Sequence, residues 1–157
     1  MGTRRWCVQL LRRAAVLMGF VEVFVPGTPA PQGSKRYLGN RGGHGILVES
    51  AGAKVKSWRA DVREAATGLV PAPIEDAVDV TLTFFLARPR SVSVARRPLP
   101  IVKPDIDKLL RSTLDALKSA GVYVDDAQVV HTNVTKAYAD GPTATPGALI
   151  RIRTLEA

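Results

Sequence analysis

The sequence predicts an α+β fold, a single domain in which a mixed β-sheet carries two main α-helices packed on it. Three observations predict it. Val78, Val80, Leu82, Phe84 and Leu86 alternate with the period of a half-buried strand, and Val130, Thr132, Val134 and Tyr138 alternate again further on. Ile106, Leu109, Leu110, Leu114 and Leu117 recur instead at helical spacing, so residues 106–118 read as an amphipathic helix. A length of 157 residues allows one real core and is too short for two.

The elements follow in order. Val21, Val23 and Val25 alternate in a first strand, Phe20 to Val25. Residues 26–34 form a Pro/Gly-rich loop that ends in Lys35 and Arg36. That loop reads either as a plain connection or as a substrate-facing segment whose basic end meets phosphate. Gly39 to Gly45 is glycine-rich but lacks the Gly-Lys-Ser/Thr of a phosphate-binding loop, so no nucleotide cofactor is expected. Ser57 is placed to cap a helix with Trp58, Val62, Ala65, Ala66 and Leu69 on its apolar face; Gly68, Pro71 and Pro73 end it. After the strand at 78–86, Pro89, Pro98 and Pro100 break a basic segment expected to be a mobile loop. Gly141 to Gly147 turns the strand at 130–138 toward a last one, Leu149 to Arg153, and the pair is expected to form a hairpin.

Residues 1–17 read as an extension outside the fold, with the domain over 18–157 and Met18 an alternative start, because the strand pattern begins just after it. This extension is Arg-rich and acid-free but lacks the long apolar core of a signal peptide, and Trp6 replaces the hydroxyl of a myristoylation motif. No apolar run approaches the length of a membrane span. The single cysteine, Cys7, excludes an internal disulfide framework and fits a reducing, cytoplasmic setting.

The net charge of +8 points to an anionic partner. Arg88, Arg90, Arg96, Arg97 and Lys103 share one stretch with no acid between Val80 and Pro104. Alone, such a run reads equally as a solvated loop. Directly ahead of an acidic cluster, it reads as an arm gripping phosphate.

That cluster is Asp105 and Asp107 at the start of the second helix and Asp125–Asp126 after its end. Pro104 disfavours helix at Lys103, Asp105 stands at the N-cap position, and Gly121 supplies a C-terminal stop. The helix advances roughly 18 Å, and an extended 121–126 segment is long enough to return roughly 17 Å. If that segment runs antiparallel to the helix, the four carboxylates converge. Convergent carboxylates need protons or a cation, and oxygen-only ligands favour Mg2+ or Mn2+ over zinc. A carboxylate-bound divalent ion implies phosphate chemistry. The plainer alternative makes Asp105 a cap and Asp125–Asp126 a turn. His44 and His131 have no partner at ligand spacing and read as structural or surface residues.

The run KPDIDKLLRSTLDALKSAGVYVDDAQVV resembles the signature of the RusA family of Holliday junction resolvases, metal-dependent endonucleases of phages and prophages. A DxD at a helix start, a Leu-rich helix ending in DAL and a DDxQV element carry the resemblance, which covers residues 103–136 and extends more softly to PGTPAPQGSKR and the Trp58 helix. It implies a homodimer acting on branched DNA in recombination and repair. Asp105, Asp107 and Asp126 take the places of the family's metal-associated aspartates, with Asp125 their neighbour. Two positions depart: Lys108 stands where the family usually has Asn, and Arg111 where it has a helix lysine. Lys136 occupies a position that is basic in the family.

The expected chemistry is phosphodiester hydrolysis, with Mg2+ (or Mn2+) held by these aspartates and Arg111 opposite charge developing on phosphorus oxygens. Arg111 is permanently protonated and cannot act as a base; its plainer role is an ion pair with Asp107 or Asp115. Two alternatives stay open. One is a basic DNA-binding protein whose acidic site is degenerate, and the other is a nuclease preferring flaps or other branches.

Overall fold

A computed structural model describes residues 19–33, 35–49, 52–141 and 145–155, with 35–49 described along the backbone. The expectation for residues 1–17 lies outside these. The elements are β1 (Phe20–Pro26), β2 (Lys35–Arg41), β3 (His44–Glu49), α1 (Ala53–Ala66), β4 (Ala77–Leu86), α2 (Ile106–Ser119), β5 (Val129–Tyr138) and β6 (Gly147–Leu155). A short 3-10 turn, Asp126–Gln128, leads into β5.

The main sheet has the order β1-β6-β4-β5. β4 pairs antiparallel with β6 and parallel with β5, so the sheet is mixed and the fold α+β as expected. The parallel pair requires a long crossover, which α2 supplies. The expected terminal hairpin does not form: β6 passes over β4 and inserts between β4 and β1. Burial explains the order. Ala148, Ile150 and Ile152 of β6 are buried, as an interior strand requires, whereas Val130, His131, Thr132 and Asn133 of β5 are exposed, as an edge tolerates. β2 and β3 form a separate two-stranded hairpin turning at Gly42–Gly43, whose φ values of 63° and 83° need glycine.

One face of the sheet carries the core. Val78, Val80, Leu82 and Phe84 point with Val25, Ile150 and Ile152 toward Trp58 and Val62 of α1 and Leu109 and Leu117 of α2. Helix α1 begins a turn earlier than expected, at Gly52 rather than Ser57, because Val55 is also buried and extends the apolar stripe backwards; Ser57 is exposed within the helix. At the centre, Trp58 Nε1 donates to Thr113 Oγ1 at 3.1 Å, and that hydroxyl donates to Leu109 O at 2.9 Å. Replacing Trp58 with Phe keeps most of the apolar bulk but strands a buried hydroxyl lone pair. The expected loss is about 1–2 kcal/mol, read as a lower urea midpoint at unchanged slope. Among the described residues, no helix is long and apolar enough to cross a membrane.

Candidate active site

The N-terminus of α2 is assembled from three directions. Asp105 is the N-cap residue in extended conformation, as predicted, but its side chain makes no capping hydrogen bond. Its Oδ2 instead faces Lys108 Nζ at 3.3 Å. Asp107 lies exposed in the first turn, where the helix dipole favours negative charge. The Pro/Gly-rich loop docks here, with Gln32 N donating to Lys108 O at 3.0 Å. From the sheet, Lys136 Nζ donates to Pro104 O at 2.9 Å and Val102 O at 3.1 Å, tying β5 to the backbone that carries Asp105. Lys136 is therefore a clamp on the DxD as well as a cation beside it. Arg111, one turn after Asp107, is exposed and makes no ion pair among the described residues. Its alternative partner Asp115 is taken by Arg59 Nη2 at 2.6 Å.

The second acidic pair lies at the other end of α2. Asp125 caps the 3-10 turn, accepting from Ala127 N at 2.9 Å, while Gln128 Oε1 accepts from Asp125 N at 2.7 Å. Lys118 Nζ donates to Asp125 Oδ2 at 2.6 Å and holds that carboxyl below its ordinary range. Gln128 Nε2 anchors the turn on Ile74 O and Asp76 O. Asp126 is half-buried against Asp115. Burial first, and the neighbouring Asp115 next, push its carboxyl above the usual range, with Lys118 opposing. Asp126 Oδ1 is buried and has no hydrogen-bond partner among the described residues. Beneath it Tyr123 OH donates to Leu114 O at 3.0 Å; burial, then Asp126, push the phenol strongly upward.

The four aspartates thus form two pairs, not the single convergent cluster expected. Asp115, which Asp126 abuts, lies eight residues after Asp107, about 12 Å along the helix axis. The 121–126 segment returns along α2 only as far as Leu114 and Asp115, about one turn from the helix end. Val122 N donates to Leu117 O, and Ile74 N to Val122 O, so this stretch is stitched to the turn after α1 beside the C-terminal half of the helix. The return is made by β5, which brings Lys136 rather than Asp126 back to Asp105. Among the described residues, no three Asp, Glu, His or Cys side chains gather closely enough to hold a metal ion. Asp115 was not singled out as a site residue in the sequence, although the DAL triplet at Asp115–Leu117 was the available signal.

The basic segment is also more ordered than expected. Arg88 donates to both carboxylate oxygens of Asp140, to Arg97 O at 2.6 Å and to Ser93 O and Pro98 O, and stacks 3.9 Å from the Tyr138 ring centre. A guanidinium committed this fully organises the loop and is withdrawn from phosphate. Arg97 sits half-buried, 5.9 Å from the same ring. Arg90, Arg96 and Lys103 remain exposed. Lys35 and Arg36 open β2, and their side chains lie outside the described residues, as does that of His44. His131 is structural: its Nδ1 lies 2.9 Å from Asp79 Oδ1 on the sheet face away from the helices, with Arg153 on the other oxygen at 2.9 Å.

Oxygen-only donors and a buried carboxylate oxygen without a partner among the described residues suit a hard cation, but one chain presents the donors as two half-sets. A search of curated proteins found no match. The family described as Endodeoxyribonuclease RusA matches residues 26–153, a span that includes both acidic pairs, Arg111, Lys136 and the basic loop. The chain belongs to the RusA endodeoxyribonuclease family.

Proposed function

We propose that the protein is a Mg2+-dependent endodeoxyribonuclease, with Mn2+ able to substitute, that resolves four-way DNA junctions by paired phosphodiester hydrolysis as a homodimer in the cytoplasm. The observation that carries this reading is the placement of two acidic half-sets at opposite ends of one helix in a member of this family. A dyad that sets two α2 helices antiparallel would bring Asp105 and Asp107 of one chain to Asp126 of its partner, and the reverse. Arg111 lies midway between Asp107 and Asp115 in sequence, so such an axis passes near it. Two symmetric sites then face the two strands a four-way junction offers for cutting.

In this reading Asp105, Asp107 and Asp126 would hold the ion, whose chemistry is to acidify a water and neutralise the departing oxygen. Asp125, tied to Lys118, contributes charge and fixes the turn that presents Asp126. Arg111 stabilises negative charge on the phosphorus oxygens. Lys136 keeps Asp105 in register through the Val102 and Pro104 carbonyls. Exposed Arg90, Arg96 and Lys103 grip the backbone, with Lys35, Arg36 and Lys108 adding charge; Arg88 and Arg97 shape the loop.

The Lys108–Asp105 ion pair favours the second reading, a DNA-binding protein with a quenched acidic site. One assay separates them: purified protein with a synthetic four-way junction, a flap and a matched linear duplex, with and without Mg2+. Symmetric paired nicks in the junction only with metal are expected. Retarded but uncut DNA in both Mg2+ and Mn2+ would establish the binding protein, and faster flap cutting the other nuclease class.

A further inference from the structure

The loop leading into the DxD ends in an apolar tip that neither the core nor the proposed chemistry uses. Leu99 is 60% exposed and Ile101 81%, while Pro100 between them is buried. The tip is held from both sides. Arg88 donates to the carbonyls of Arg97 and Pro98, and Lys136 to those of Val102 and Pro104. Within it, Ile101 N donates to Leu99 O at 2.9 Å. Two branched aliphatics are therefore displayed to water by a buttressed backbone, an arrangement with no benefit to folding.

Its surroundings indicate what covers it. No acidic side chain occurs from Val80 to Pro104, and exposed Arg90, Arg96 and Lys103 flank the tip. The tip is also continuous with the candidate active site, only three residues separating Ile101 from Asp105. A partner that is anionic at its margins and apolar in its middle fits: a DNA branch, where two backbones border base-pair faces whose stacking is interrupted. Aliphatic side chains wedge between base steps in DNA-bending proteins for the same reason. We propose that Leu99 and Ile101 form a wedge that enters the branch point and packs on the base pairs lining it. On linear duplex the wedge must first unstack a base step; at a branch that cost is already met, and the loop then settles with Asp105 and Asp107 against the adjoining phosphate. This deepens the nuclease reading and rests on it for the choice of DNA.

The test uses the full chain in an Asp107→Asn background, so that binding is read without cutting. A four-way junction carries 2-aminopurine at the branch or, as control, in mid-arm. Binding is expected to raise fluorescence at the branch and not in the arm. Leu99→Ser/Ile101→Ser should lose that rise and about tenfold of the junction-over-duplex preference, as expected for one lost packing contact. Its linear-duplex affinity should hold, which also shows that it folds, and Ile101→Phe should keep the branch signal. A doubly substituted protein that retains the signal and the preference overturns the wedge. So does one that sediments as a monomer where its parent is a dimer, since the tip would then be an interface between copies. If the unsubstituted protein binds junctions with the branch signal but never cuts them, the nuclease reading fails and the wedge stands.

Discussion

Asp107→Asn and Asp126→Asn are each expected to abolish junction cleavage, by on the order of a thousandfold or more, while leaving the fold and DNA binding intact. Asparagine keeps the shape of the side chain and removes the charge that would hold a divalent ion. The two positions make separate demands on stability. Asp107 is exposed in the first turn of α2, so its loss costs a small, salt-screened dipole interaction. Asp126 is pressed against Asp115 with its carboxyl pushed above the ordinary range, so at neutral pH its charge opposes folding and the amide relieves it. The melting temperature of Asp126→Asn should therefore hold or rise. Duplex affinity comes from Lys and Arg contacts to phosphate, so it should hold or tighten as acid is removed. Cleavage assays, thermal melts and gel retardation on the same preparations check all three. Turnover like that of the unsubstituted protein in either variant would remove these carboxylates from the site.

The elements with strong internal periodicity were legible. β4 and α2 could be read because Val78–Leu86 and Ile106–Leu117 each repeat with the period of the structure they form, and Gly121, at φ 75°, stops the helix where expected. Periodicity assigns faces, however, and does not assign neighbours. The alternation in β6 says that Ile150 and Ile152 are buried but not that they are buried between β4 and β1. The same limit applies to the acidic residues. Helix length and extended length matched so closely that a return of Asp126 to Asp105 was possible. The choice was made by the hydrogen bonds of residues 122–124 to Ile74, a partner beyond the helix altogether. Arg88 could not be told from Arg90 in a uniform basic run. Tyr138 and Asp140, some fifty residues away, single it out. What the sequence did mark was composition around the site: DxD, DAL, DDxQV and the acid-free basic stretch. These are patterns of chemistry rather than of packing, which is why they point to the family before the topology is known.

An equimolar mixture of Asp107→Asn and Asp126→Asn chains should nick junctions although neither variant cuts alone. If the site takes Asp107 from one chain and Asp126 from the other, the mixed dimer has one site with both carboxylates intact and one with both lost. Random exchange makes about half of the dimers mixed, so about a quarter of the wild-type sites return. Because each such dimer carries a single live site, the product should be a nicked junction and not the symmetric pair of cuts that resolution requires. Exchange is verified by co-purification of differently tagged chains before the assay. The prediction follows from the roughly 12 Å of helix between Asp107 and Asp115, with Asp126 held beside the latter by Gln128 and the Ile74 bridge. A backbone pinned in this way does not swing Asp126 to the other end of α2, so in the proposed site a second copy would bring it there. Were all the carboxylates of one site to come from one chain, every dimer in the mixture would carry two defective sites, and verified exchange would restore nothing.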